Sequence, residues 1–176
     1  MFGLFKKKAQ EDIPSQLVNQ AIGGQSVMYR FFREQLRCED GSILKIELTF
    51  FAMSVLTVAY LAVSRDARKE ETLDEFSQQM LKRAIKATQS TETFSAVTAK
   101  YQNRFGEYQS ILMALLNPAA SKGANPSVTL LMHAYEKITN SSAATQMIQI
   151  MAGAATAKQF VADNLDFVRN GLQRKA

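Results

Sequence analysis

From Leu48 to Val63 the chain runs 16 residues without a charge, and Ile43–Val63 as a whole is apolar on almost every side. A helix of that kind has two homes. It crosses a bilayer when it reaches about 20 mostly apolar residues, or it forms the centre of a bundle, where every face meets protein. This stretch is short for crossing, and Thr49, Ser54, Thr57 and Tyr60 set hydroxyls along it. It is therefore expected to be the central helix, over about residues 43–65, of a soluble helical bundle.

The flanking sequence supplies the sister helices. Asp12-Ile13-Pro14 offers an N-cap and an early proline, followed by Leu17, Val18, Ala21 and Ile22 on one side. Gly23-Gly24 predicts a kink or a break, since each glycine costs about 1 kcal/mol against alanine. The pattern resumes through Val27, Met28, Phe31, Phe32 and Leu36 and ends before the turn Asp40-Gly41-Ser42. Beyond the charged link 65–71, Thr72 and Glu75 fit a capping box, with acids early and Lys82, Arg83 and Lys86 late. The polar run 88–93 predicts the next break.

Phe94, Val97, Tyr101, Phe105, Tyr108, Leu112 and Leu115 then recur at spacings of three and four, the clearest amphipathic signal in the chain. Asn117-Pro118 stops it, 119–126 reads as a loop, and Asn125-Pro126 restarts a helix that Thr139–Ser142 interrupts. A last helical segment covers 143 to about 173. No strand-like alternation occurs. The reading is an all-α bundle of five to seven helices: one domain over 11–173, with residues 1–10 as a basic-aromatic tail.

Chemistry is sparse. Cysteine occurs once, at Cys38, and histidine once, at His133, so neither a cysteine-based zinc cage nor a paired Glu-x-x-His di-iron site can be assembled. Cys38 lies beside Glu39 and Asp40, whose charges disfavour a thiolate. His133 has the apolar neighbours of a haem ligand or, more simply, of a hydrogen-bonded histidine at a core edge. No phosphate-binding or dinucleotide glycine loop and no nucleophile elbow is found. No catalytic, metal or cofactor residue is assigned, and no cofactor is expected.

Glu47 is the carboxylate closest to the apolar run, with Glu34, Glu107 and Glu136 also beside apolar positions. It is expected to pair with a cation such as Arg30, Arg33 or Arg104. Glu47 and His133 are the candidates for a polar pocket against the central helix. Tyr101, Arg104, Phe105 and Tyr108 could stack nucleic-acid bases, but read more simply as a core stripe.

The net charge of +5 is concentrated at the ends: without Lys6, Lys7, Lys8, Arg169, Arg174 and Lys175, positions 9–168 hold 15 basic against 16 acidic residues. A phosphate-binding groove needs cations gathered on one folded face, so nucleic acid is a poor partner. The opening Phe2, Leu4, Phe5, Lys6, Lys7 and Lys8 is too short for a secretory apolar region, but it suits contact with an anionic membrane surface or an acidic partner. Methionines, 8 in all, are spread over the helices, and 152–157 is built of small residues. Met147, Met151, Gly153, Ala154 and Ala157 are therefore candidates for a helix interface. The function expected from these features is a non-enzymatic interaction module in a bacterial-type cytoplasm, bound to a protein partner or to its own copies. Two alternatives accompany it: a peripheral membrane protein anchored by the N-terminus, and a carrier or enzyme with a cavity at the central helix.

Overall fold

The computed structural model describes residues 12–117 and 125–172, all helix, turn or irregular chain with no strand among them. The N-terminal helix α1 (Ile13–Glu34) is capped by Asp12, whose Oδ1 accepts the Ser15 amide at 2.8 Å. Next come α2 (Ser42–Val63), α3 (Lys69–Thr88), α4 (Phe94–Leu116), α5 (Pro126–Thr139) and α6 (Met147–Asp166). A short 3₁₀ turn (Ala143–Gln146) leads into α6 and a π-turn (Phe167–Gly171) follows it.

The bundle is organised around α2, which packs against each of the other five helices. Every residue from Glu47 to Tyr60 is buried. The helix is long and apolar enough to span a membrane, yet 78% of its most apolar 18-residue stretch is covered by the chain itself. Phe51 stacks on Phe160 of α6 and meets Tyr108 of α4 edge-on, while Phe50 contacts Tyr101 of α4. Rings from three helices thus interlock at the centre, which fixes how those helices are rotated.

Gly23-Gly24 does not interrupt α1, which runs through both glycines. The reason lies across the bundle: a β-carbon at Gly24 would overlap the Phe160 ring. The cost of glycine in the helix is offset by burying that ring against bare backbone. The same device recurs in reverse, since a β-carbon at Gly153 of α6 would overlap Phe31 of α1. Gln20 Nε2 donates to Asn164 Oδ1 at 3.3 Å, so 20, 24 and 31 face 164, 160 and 153. The two helices are antiparallel and closely approached.

The expected capping box at Thr72 is not formed. The first helical residue of α3 is Lys69, and Thr72 lies buried within the helix. Asp66 lies in the turn ahead of α3: one carboxylate oxygen accepts the amide of Arg68, the residue before the helix, at 2.9 Å and the other accepts the Tyr60 hydroxyl at 3.1 Å. That pairing ties the end of α2 to the start of α3, a tertiary constraint no local pattern announces. The cap expected at Asn125 forms, and Thr93 adds one at the end of the expected break. Thr93 Oγ1 accepts the Ala96 amide at the start of α4, and Asn125 Oδ1 accepts the Ser127 amide ahead of α5.

Candidate functional site

Glu47 sits one turn into α2, only 8% exposed, on the side facing α4. Its partner is Arg104, supplied by the middle of α4. Arg104 Nε donates to Glu47 Oε2 at 2.9 Å and Nη2 donates to Oε1 at 3.1 Å, a two-pronged bond that matches the planar guanidinium to the carboxylate. The Nη1 group turns the other way and donates to Glu107 Oε2 at 3.0 Å.

Glu107 extends the seam to α5. Lys137 Nζ donates to its Oε1 at 3.1 Å, and His133 Nε2 lies 3.0 Å from its Oε2. Burial works against the Glu107 charge, but the Lys137 and His133 hydrogen bonds and the Arg104 field outweigh it and lower its pKa. An ionised carboxylate only accepts, so the Nε2 of His133 carries the proton. Burial likewise opposes the charge on Arg104, and Glu47 followed by Glu107 reverses the balance and raises its pKa. The histidine ring stands edge-on to Tyr108, their centroids 5.1 Å apart.

Glu47 and His133 therefore belong to one chain of contacts, though they do not touch: Arg104 and Glu107 stand between them. Three metal-type donors lie along this seam with cations interleaved, and no cluster of His, Cys, Asp or Glu able to hold a metal occurs among the described residues. The seam joins α2, α4 and α5 through opposite charges. Its last member, Lys137, carries no sequence signal towards Glu107, 30 residues away. Beside the seam, Tyr108 is fully enclosed and its hydroxyl finds no partner among the described residues; burial pushes its pKa up. Tyr101 is also buried, bonded through its hydroxyl to Thr57 at 3.3 Å, and pushed up to about 12. Both rings belong to the core, so neither can offer a face to a base.

The remaining candidates fall elsewhere. Cys38 is buried, and burial, rather than the neighbouring acids, pushes its thiol up to about 11. Glu136 caps the 3₁₀ turn by accepting the Ala143 amide, and Glu34 is exposed. Phe2, Leu4, Phe5, Lys6, Lys7 and Lys8 lie outside the described residues.

The helix-interface candidates divide by side of α6. Gly153, Ala154 and Ala157 turn inward to the chain's own core, Met147 is half-buried, and Met151 points out with 61% of its surface exposed. Ile148, not singled out in the sequence, is 81% exposed beside it. With Ala152 and Ala155, also exposed, these residues occupy positions i, i+3, i+4 and i+7 and form an apolar stripe open to water. The sequence does carry a signal for it: the 20 residues from Ile138 to Ala157 contain no charge. Comparison with known proteins finds no family model that matches this chain, no similar curated protein and no similar solved structure.

Proposed function

We propose that the protein is a helical interaction module whose contact face is the outward side of α6. The observation that carries this reading is the Ile148–Met151–Ala152–Ala155 stripe, apolar and uncharged, on a helix whose other side already packs in the core. A surface helix ordinarily turns charge to water on its outer side. Over 147–157 the outer side of α6 carries Gln149 but no charge, and Lys158, Gln159 and Asp163 turn to water only beyond it. Exposed Met and Ile give an adaptable contact, and the alanines allow a partner helix to come close.

The test is association of the full chain against Ile148→Glu/Met151→Glu. Both positions are exposed, so the variant should keep parental helicity and thermal midpoint. The parent is expected to self-associate in sedimentation, or to retain a stoichiometric partner in native mass measurement, and the variant to lose that association. A parent that stays strictly monomeric and retains nothing, or a variant that associates as the parent does, removes α6 as the contact face.

A further inference from the structure

A cleft of about 550 Å³ opens between the first half of α2, the turn joining α3 to α4, and the first half of α4; no residue of α6 lines it. Small-molecule sites commonly fall between about 300 and 1,000 Å³ and combine an apolar surface with a few convergent polar groups. Phe50 and Val97 lie beneath it, almost wholly buried, so the apolar surface open to a ligand is that of Ile46, half-buried, and Ile43. Ile43 stands at its edge with 62% of its surface exposed, a large apolar residue left open to water beside an apolar recess.

The charges lining the cleft point to the kind of molecule it takes. They number four, and they form two pairs: Glu47 with Arg104, and Glu92 with Lys100 at 2.6 Å. Each cation already has its anion: the Glu47–Arg104 pair is largely buried, so a charged ligand would have to displace a partner there, while the exposed Glu92–Lys100 pair offers a charged ligand only a screened contact. Uncharged polar groups remain to orient a ligand, the side-chain amides of Gln89 and Asn103 among them, each with donors and an acceptor. Gln89 also holds a left-handed backbone, φ 50°, at the end of α3. Glycine is the usual residue at such a position, and here an amide side chain lines the cleft instead.

We propose that this cleft is a binding site for a small uncharged molecule with an apolar, ring-sized body and a hydrogen-bonding edge. Apolar contact with Ile43 and Ile46 supplies the attraction, the amides fix the orientation, and the pairing of every lining charge leaves no unbalanced ion to draw in a charged ligand.

A matched pair of fluorescent probes tests both halves of the proposal. N-phenyl-1-naphthylamine is neutral, and 8-anilino-1-naphthalenesulfonate is the same skeleton with one sulfonate added. The full chain is expected to bind the neutral probe saturably at one per chain, and the sulfonate about tenfold more weakly or worse. Asn103→Trp and Ser90→Trp, which fill the cleft from two of its sides, should each weaken the neutral probe by about tenfold or more at parental helicity. Ile148→Glu/Met151→Glu, which alters the exposed stripe on α6, should leave binding unchanged. The proposal fails if the neutral probe does not saturate, if the sulfonate binds comparably, if binding survives either tryptophan, or if the α6 variant abolishes it.

Discussion

At the scale of single residues, the Glu47–Arg104 pair shows how a charge is kept inside this bundle. Glu47 is almost wholly buried, and both of its oxygens are occupied by one guanidinium. Removing the cation alone strands the carboxylate among apolar neighbours. Arg104→Met is therefore expected to cost roughly 3 kcal/mol, the lower end for breaking a buried pair, because Arg104 retains some exposure. Replacing both partners, Glu47→Leu with Arg104→Met, should return stability to within about 1 kcal/mol of the parent, since no buried charge is left unpaired. Urea unfolding of the three proteins checks this. A double variant as unstable as the single one would mean that the packing of the arginine stem, not the stranded charge, sets the cost.

At the scale of elements, glycine has opposite meanings in two helices that touch. A β-carbon at Gly23 of α1 would meet nothing within 4 Å, whereas one at Gly153 of α6 would strike the Phe31 ring. Gly23→Ala should stabilise by about 0.5–1 kcal/mol through lost unfolded-state freedom and better helix propensity. Gly153→Ala should destabilise by about 1–3 kcal/mol, because a ring held in a packed core must shift. Thermal midpoints moving in opposite directions are the expected result, and equal shifts of one sign would contradict the close approach of α1 and α6. From sequence alone Gly23-Gly24 reads as helix-weakening and Gly153 as part of a small-residue interface, with nothing to say which of Gly23 and Gly24 meets a ring. Only the helix lying opposite decides this, which is why a kink or a break is expected at Gly23-Gly24 while α1 runs through both.

For the whole molecule, alkaline stability follows from what the core encloses. Tyr101, Tyr108 and Cys38 are all buried with raised pKa values, Tyr101 to about 12 and Cys38 to about 11. Above the ordinary pKa of each group the unfolded chain releases a proton that the folded chain retains. Unfolding is then favoured as pH rises, from about pH 9 for the thiol and about pH 10 for the phenols. By pH 11, Tyr101 alone should remove about 1.4 kcal/mol. The urea midpoint is expected to fall steeply between pH 9 and 11. Of the 5 tyrosines, Tyr101 and Tyr108 should show phenolate absorbance only as the protein unfolds. A midpoint flat across that range, or all five titrating near pH 10 in the folded chain, would show that water reaches these hydroxyls.

The uncharged run Leu48–Val63 by itself determined that a helix would be buried on all sides over most of its length, and Asp12 and Asn125-Pro126 determined where two others begin. Such signals act within one helical turn, so the amino-acid order contains them completely. The amphipathic stripe of α4 and the breaks at 88–93 and 139–142 are legible for the same reason. Tertiary structure decided the rest: that Glu47 takes Arg104, 57 residues away, in preference to Arg30 or Arg33; that α3 begins at Lys69, ahead of Thr72, after a turn tied to Tyr60 by Asp66; and that α6 turns Gly153 and Ala157 inward and Ile148 and Met151 out. Each of these depends on how far α2 is rotated and which helices lie beside it. That arrangement is set by the interlocking of Phe50, Phe51, Tyr108 and Phe160, rings that are far apart in sequence and meet only when the bundle closes.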